Sequence, residues 1–171
     1  MTASSDVGAE FLRSARLRLE SLKTLGDQAL VRLDDGDLTK VLDPESNSVA
    51  VLVQHIAGNM RSRWTDFLTT DGEKPDRHRD AEFEPGLTTK APLIKRWAEG
   101  WSVLFAALDA LKPEDLTRIV LIRGESLTVV DAINRQLVHY GQHVGQIVYL
   151  AKHFKWETWD SLSVPRRRPA L

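Results

Sequence analysis

The chain has 171 residues, of which 42% are hydrophobic and 27% are charged, a composition that is typical of a folded globular protein and excludes a disordered one. This length supports one sizeable hydrophobic core, so we expect residues 1–171 to form a single domain. The 23 basic and 24 acidic side chains nearly cancel and there is no cysteine, which excludes a global attraction to nucleic acid, disulfides and thiolate metal sites.

Neither a secretory signal nor a membrane span is predicted. Residues 1–10 lack a basic start followed by an apolar run, and no segment approaches the roughly 18 uninterrupted apolar residues of a membrane-spanning helix. We therefore expect a cytoplasmic protein that has no membrane partner. The basic cluster Arg166, Arg167 and Arg168 is interpreted as a solvated tail and not as a nucleic-acid site.

Two amphipathic helices are predicted in the first part of the chain. Apolar residues recur at spacings of three and four over 11–33, and the sequence Asp-Asp-Gly-Asp at 34–37 ends this run. A second run of the same kind covers 49–68, and Asn47 or Ser48 can cap its start.

The segment 71–88 predicts a long connection between the second and third helices. It is strongly charged, contains two glycines and two prolines, and shows no hydrophobic period. A connection of this length can return the chain along the bundle, so that the helices on either side run parallel, whereas a short loop would make them antiparallel. The third helix is predicted from Thr89 or Pro92 to Leu111.

The remaining sequence predicts a β-hairpin, a fourth helix and an irregular end. Short β-prone runs within 118–130 indicate a hairpin that turns at Gly124. A capping box at Thr128 opens the fourth helix, which we expect to continue to His153. Residues 155–171 contain two tryptophans and two prolines and predict a strap whose aromatic side chains pack on the bundle. The predicted fold class is therefore all-α, a four-helix bundle with a small hairpin before its last helix.

Two histidines of the fourth helix have the spacing of a metal-ligand pair. His139 and His143 are four residues apart, which places both imidazoles on one helix face. Zinc proteases use this spacing, but they place a glutamate where this chain has Tyr140, so a thermolysin-type mechanism is disfavoured. Chance spacing is an alternative for the pair. In the same helix, Gly141 and Gly145 would let a partner helix approach closely, within the bundle or across a dimer interface.

His55 is the natural third ligand. It lies in the apolar stripe of the second helix, where an unpaired imidazole is costly, although an ordinary hydrogen bond would satisfy a single histidine there. Three imidazoles leave an open coordination position, which is typical of catalytic metal sites. Glu125 of the hairpin is a conceivable fourth ligand that would close the shell, but its position in the turn favours solvent.

Three further residues share the faces of these histidines. Gln146 lies three residues after His143 and is expected to orient a ligand or a bound water. Asn59 and Arg63 follow His55 by four and eight residues and could supply a hydrogen bond and an anion contact. A surface salt bridge explains Arg63 equally well.

These motifs resemble those of the DinB-like superfamily of metal-binding four-helix bundles. Its pattern is one histidine on the second helix and a His-x-x-x-His pair on the fourth, which VLVQHIAGNM and VHYGQHVGQIVYLAKH match. More narrowly, the chain resembles a branch named as a domain of unknown function. The runs that carry this resemblance are HIAGNMRSRWTDFLTTDGEKPDRHRDAEF, IRGESLTVVDAINRQLVHYGQHVGQIVYLAKHFKW and SLSVP.

The resemblance implies an up-down-down-up bundle, a divalent ion such as zinc or nickel on His55, His139 and His143, and a homodimer. It also implies a metal-dependent enzyme, either a thiol-dependent S-transferase that acts on small electrophiles or a hydrolase. A non-enzymatic module that binds metal or a small molecule in a stress response is a further alternative. A hydrolase would need a carboxylate base near the ion, and Asp66, about three helical turns beyond His55, is too distant to serve.

Overall fold

The computed structural model describes residues 3–164, most of which are helical. The basic tail predicted at 166–168 lies outside these residues. Within 3–164, no helix is both long and apolar enough to cross a membrane. The helices are α1 (Ala3–Val31), α2 (Asp35–Leu38), α3 (Val49–Trp64), α4 (Lys90–Ala110) and α5 (Val129–Phe154). The antiparallel strands β1 (Ile119–Ile122) and β2 (Glu125–Thr128) precede α5, and single 3-10 turns form at Asp80–Phe83, Pro113–Thr117 and Trp156–Thr158.

The four long helices enclose one core, with the most extensive contacts between α3 and α4 and between α1 and α5. Gly100 permits the first contact, because a Cβ there would lie 2.9 Å from the Cα of Ala57. Gly141 and Gly145 play no such part: a Cβ on the former would touch only a Leu22 methyl, 4.0 Å away, and one on the latter would meet nothing within 4 Å in 3–164. The prediction that these glycines admit a neighbouring helix of the bundle is therefore wrong.

The predicted helix starts are confirmed by their caps. Ser48 accepts a hydrogen bond from the backbone N–H of Val51, and Thr128 accepts one from Asp131. The predicted end of the second helix is wrong, because α3 ends at Trp64. Asp66 there adopts a positive φ of 47°, and its carbonyl accepts the next free N–H groups in a turn.

The first helix is longer than predicted and is followed by a second short one. α1 already begins at Ala3, and the run 34–37 that was expected only to stop it instead opens α2. Asp34 is the N-cap residue of α2, and its backbone N–H donates to the Asp37 carboxylate at 3.0 Å. The acidic stop signal is thus also a helix start.

The hairpin turns at Arg123 and Gly124, as predicted, and both have positive φ angles, 57° and 75°. Such a turn suits the twist of a two-residue hairpin. The Asp71 carboxylate accepts the backbone N–H groups of Arg123 and Gly124 at 2.9 and 2.8 Å and that of Glu73 at 2.7 Å. The hairpin is therefore tied to the connection between α3 and α4.

That connection is more ordered than its sequence predicted. Its 3-10 turn, Asp80–Phe83, packs on α3. The amide of Gln54 on α3 donates to the carbonyls of Glu82 and Glu84 at 3.2 and 3.1 Å and accepts the N–H of Leu87 at 2.6 Å. These three bonds hold the turn against the helix that carries His55.

The predicted strap is described up to residue 164, and its two tryptophans behave differently. Trp159 packs against the core beneath the Arg32 guanidinium, which lies 4.7 Å from the ring centre. Trp156 is exposed, so the prediction that it packs on the bundle is wrong.

Candidate metal centre

Three imidazoles meet between α3 and α5. The Nε2 atom of His139 lies 3.1 Å from Nε2 of His55 and 3.2 Å from Nε2 of His143. Two nitrogens that bind one zinc-like ion at tetrahedral angles lie about 3.4 Å apart. Two of the three pairs are thus close to this spacing, and all three ligand atoms lie within 4.8 Å of one another, so together they could hold a single divalent ion.

Hydrogen bonds on the far side of two rings set their tautomers. His55 Nδ1 lies 2.9 Å from a Glu82 carboxylate oxygen, and His143 Nδ1 lies 2.8 Å from the amide oxygen of Gln146. Because both partners are acceptors, each Nδ1 carries the proton and each Nε2 directs its lone pair at the centre. Gln146 therefore contacts a histidine of the cluster, and its expected role in orienting a ligand or a bound water stays a prediction.

Two of the three imidazoles, those of His139 and His143, favour the neutral form. Burial, followed by the nearby His143 and His55 and the guanidinium groups of Arg63 and Arg77, lowers the pKa of His139 to about 3. Burial also lowers the pKa of His143, against the opposing effect of its Gln146 hydrogen bond. Neutral imidazole is the form that coordinates a metal, so these two rings need not lose a proton near neutral pH.

Glu82 is the residue that sequence reasoning missed. Both of its carboxylate oxygens accept hydrogen bonds from Arg77, at 2.8 Å each, and one of them also faces His55. Burial raises the pKa of Glu82, but the hydrogen bonds from His55 and Arg77 outweigh it and leave the pKa below its ordinary value. An ionised carboxylate behind a ligating histidine orients the ring and makes it a stronger ligand.

Space for this carboxylate comes from Gly58, one turn after His55. A Cβ at position 58 would overlap the Glu82 carboxylate, so glycine is needed for the approach. The sequence pointed to Glu82 only indirectly, because Glu82 lies in DRHRDAEF, part of the long run that carries the family resemblance. A loop that only links two helices would not be expected to share such a motif.

Arg63 lies inside the protein and not in a surface salt bridge. It is 5% exposed, donates to the carbonyl oxygen of Gly72, and pairs with Glu73 at 2.9 Å. Glu73 also accepts from Arg123 at 2.9 Å and from Arg77 at 3.4 Å. The surface alternative for Arg63 is therefore wrong, and its guanidinium belongs to an ion network that surrounds the cluster.

Asn59 makes no hydrogen bond to a cluster histidine among the described residues and instead pairs with Tyr140 of α5. Its side-chain amide oxygen accepts the hydroxyl hydrogen of Tyr140 at 2.9 Å, and that hydroxyl oxygen accepts from the indole N–H of Trp64 at 3.0 Å. The chain of bonds joins α3 to α5 next to His139.

The conceivable fourth ligand does not join the cluster. The Glu125 side chain is 72% exposed and lies 3.4 Å from the Arg135 guanidinium. Among residues 3–164, the group of side chains able to share one ion consists of the three histidines alone. Asp66, which was expected within the second helix, is exposed and lies beyond the end of α3, outside this group.

A helical bundle whose facing helices supply an open cluster of three histidines belongs to the class of candidate metal-binding bundles. More particularly, the chain belongs to the family described as "Protein of unknown function (DUF1572)", which matches residues 6–168. Its fold is similar to that of a DinB-like protein from Bacillus cereus, with a TM-score of 0.63 and 21% identity over 92% of this chain and 95% of that one. The predicted resemblance to a branch named as a domain of unknown function is thereby confirmed, and the predicted likeness to DinB-like proteins is confirmed for the fold. A comparison with curated proteins found no match.

Proposed function

We propose that this protein is a metal-dependent enzyme that transfers a small thiol to an electrophile, with His55, His139 and His143 holding one divalent ion, zinc or nickel. The convergence of their three Nε2 atoms, two of them in fixed tautomers, carries the proposal. When bound, such an ion lowers the pKa of a coordinated thiol or water and so supplies a nucleophile near neutral pH.

The position of the nearest carboxylate favours a thiol over water as that nucleophile. Glu82 lies on the Nδ1 side of His55, away from the convergent Nε2 atoms, and Arg77 engages both of its oxygens. It is thus badly placed to take a proton from an attacking water. A thiolate needs no base once it has formed, which supports transfer over hydrolysis.

In the proposed reaction, the thiol proton leaves to solvent and the sulfur forms a bond to an electrophilic carbon. The leaving group departs with the electron pair of the broken bond. Glu82 and Gln146 keep two histidine rings oriented throughout. The exposure of Glu125 supports an open site and counts against a purely structural, closed metal shell.

Metal content tests the first half of the proposal. Protein purified without a nickel column should contain about one divalent ion per chain, and His55→Ala and His143→Ala should lose it. His153→Ala is the matched control, since that exposed histidine at the end of α5 lies outside the cluster and should leave occupancy unchanged. Equal occupancy in all four proteins would refute the ligand assignment.

The charge of Glu82 gives a finer test. Glu82→Gln keeps the shape of the side chain but removes the anion behind His55, so we expect metal affinity to fall about 10- to 100-fold. Competition with a metal-binding dye measures this change. An unaltered affinity would mean that Glu82 does not act through His55.

An activity assay tests the proposed thiol transfer. Metal-loaded protein is incubated with an alkylating electrophile and each of several cellular thiols, and mass spectrometry detects the conjugate. We expect conjugation with at least one thiol, and its loss in His139→Ala. Absence of conjugation with every thiol would overturn the transfer reaction while leaving a metal site intact.

The proposal extends to architecture and assembly. We infer up-down-down-up connectivity, a cytoplasmic location and a homodimer. The pairing of α3 with α4 and of α1 with α5 supports the first, and exposed Val138 and Tyr149, with Gly145 between them along α5, offer a face for a second copy. Light scattering of the protein and of Val138→Glu would test the dimer, which should dissociate in the variant.

A further inference from the structure

A small cavity of about 190 Å³ opens beside the histidine cluster. His55 and His139 form part of its wall, together with the side-chain amides of Asn59 and Gln136. Among the described residues, no aspartate or glutamate lines it, whereas five arginines do. These are Arg63, Arg77, Arg79, Arg123 and Arg135. We call this space the arginine cavity.

The positive charge of the arginine cavity is only partly neutralised. Two carboxylates pair with three of its arginines: Glu73 pairs with Arg63, Arg77 and Arg123, and Glu82 also pairs with Arg77. The two remaining arginines have weak partners, since Arg79 lies 3.5 Å from Asp80 and Arg135 lies 3.4 Å from Glu125. Both of these acids are largely exposed, where solvent screens such pairs. An anion in the cavity would therefore meet an excess of guanidinium charge.

Three buried polar atoms of residues that line the cavity have no hydrogen-bond partner among residues 3–164. They are the Nε–H of Arg63, the amide oxygen of Gln136 and Nδ1 of His139. Buried polar groups are normally paired, so these side chains keep unused hydrogen-bonding capacity beside the cavity. None of the three atoms is exposed to solvent, so an occupant would reach them only after a small shift of the side chains.

The size of the cavity limits what it can receive. A volume of about 190 Å³ equals the liquid volume of about six water molecules and falls below the range of about 300–1,000 Å³ that is usual for drug-sized ligands. A carboxylate or phosphate group with a short stem fits this space. The larger cleft of about 650 Å³ behind Glu82 is lined by none of the three cluster histidines, so a molecule there would not reach them.

We propose that the arginine cavity binds a carboxylate or phosphate group of the reacting small molecule and so places its thiol or electrophilic atom beside the histidine cluster. This inference rests on the proposed metal-dependent thiol chemistry. It adds the substrate class: small molecules that carry an oxyanion close to the reacting group.

Three short thiols of different charge test the inference on cobalt-loaded protein, in which a bound thiolate produces a sulfur-to-cobalt absorption band. We expect mercaptoacetate to bind about ten-fold more tightly than neutral 2-mercaptoethanol, and cationic cysteamine to bind most weakly, because oxyanion–guanidinium hydrogen bonds are strong. The acidity of the thiols runs in the opposite direction, so it cannot produce this order.

A variant pair separates cavity binding from chelation of cobalt by the carboxylate. In Arg135→Gln the preference for mercaptoacetate should shrink to about three-fold or less, since one charged donor is lost. Arg118→Gln is the control, because Arg118 is similarly exposed, 49% against 43%, and also pairs with an acid but does not line the cavity.

The outcomes separate the two proposals. Equal affinities for the three thiols, or a preference that Arg135→Gln leaves unchanged, would overturn the anion site while thiol binding stood. The absence of a sulfur-to-cobalt band with every thiol would overturn the thiol chemistry, and the substrate class would fall with it.

Discussion

The connections 32–48 and 65–89 both join long helices, and each contains a largely buried carboxylate that pairs with a cationic side chain. In the first, Asp37 accepts from Lys155 at 2.6 Å and from Lys40 at 2.8 Å. In the second, Glu82 accepts twice from Arg77. Only the second carboxylate touches a histidine of the cluster. The first connection fastens the end of α5, whereas the second shapes a candidate site.

The cations explain the difference. A lysine ammonium is a single charged point, and Lys155 joins two neighbouring acids, Asp34 and Asp37, at the same end of the bundle. Arginine offers a planar fork of donors, so Arg77 can reach Glu73 and Glu82 at once and carry the network inward. Two charged connections of similar composition therefore have different roles: the first stabilises one end of the bundle, and the second positions side chains around the candidate site.

Removing Arg77 should have the largest effect. Arg77→Met leaves Glu82 buried without its cation, and breaking a buried pair in this way costs about 3–5 kcal/mol of unfolding free energy. Urea unfolding measures the change. Arg61→Met is the control, because Arg61 is 73% exposed with its acid 4.0 Å away, and it should change stability by about 0.5 kcal/mol at most. Equal losses in the two variants would contradict a buried network.

The substitution Gly58→Ala should have the second-largest effect on stability. In Gly58→Ala the new methyl group occupies the place of the Glu82 carboxylate, so we expect a loss of about 1–3 kcal/mol from overpacking and weaker metal binding. Urea unfolding and metal titration on the same protein test both effects. A variant that is destabilised but binds metal as tightly as the parent would show that Glu82 is not needed behind His55.

The corresponding change in the first connection should affect stability alone. Asp37→Asn weakens two charged hydrogen bonds and should cost about 2 kcal/mol near neutral pH, while metal affinity stays the same. Burial raises the pKa of Asp37, but hydrogen bonds from Lys155, Lys40 and the backbone of Asp34 lower it further, so the pKa lies well below its ordinary value.

The lowered pKa of Asp37 determines how the difference in unfolding free energy between the parent and Asp37→Asn depends on pH. An unfolded aspartate titrates at about 3.9, so the stabilisation by Asp37 is fully present above about pH 5 and is lost as the pH falls towards its folded pKa. The difference in unfolding free energy between the parent and Asp37→Asn should therefore shrink below about pH 4. If this difference in unfolding free energy stayed constant down to pH 2, the ionised Asp37 carboxylate would not be the source of the stabilisation.

The smallest effect is expected at Gly36 in α2. A Cβ there meets nothing within 4 Å among the described residues, so Gly36→Ala should gain up to about 1 kcal/mol from helix propensity. Thermal unfolding measures the gain. A loss would mean that the first connection, like the second, needs a glycine for close packing.

The helices and the histidines were predictable because their signals are local. Apolar periodicity located α4 and α5 to within about two residues, Ser48 and Thr128 have the side chains that cap helices, and the four-residue spacing of His139 and His143 lies within one helix. Each of these features is encoded within a few turns of the chain.

Glu82 and Gly58 escaped prediction because their roles depend on each other across the fold. Nothing in the composition of 71–88 distinguishes an exposed glutamate from one that enters a gap over a glycine in α3. The charge-rich pattern that usually indicates a solvated loop here covers a buried network, since arginine and glutamate neutralise each other.

The contacts of the histidine cluster also bear on how the chain folds. His55 meets Glu82 across 27 residues and His139 across 84, so the cluster cannot form until distant parts of the chain have docked. An ion bound there cannot guide the earliest steps of folding. A bound ion would instead slow the unfolding of the finished bundle more than it would speed its formation.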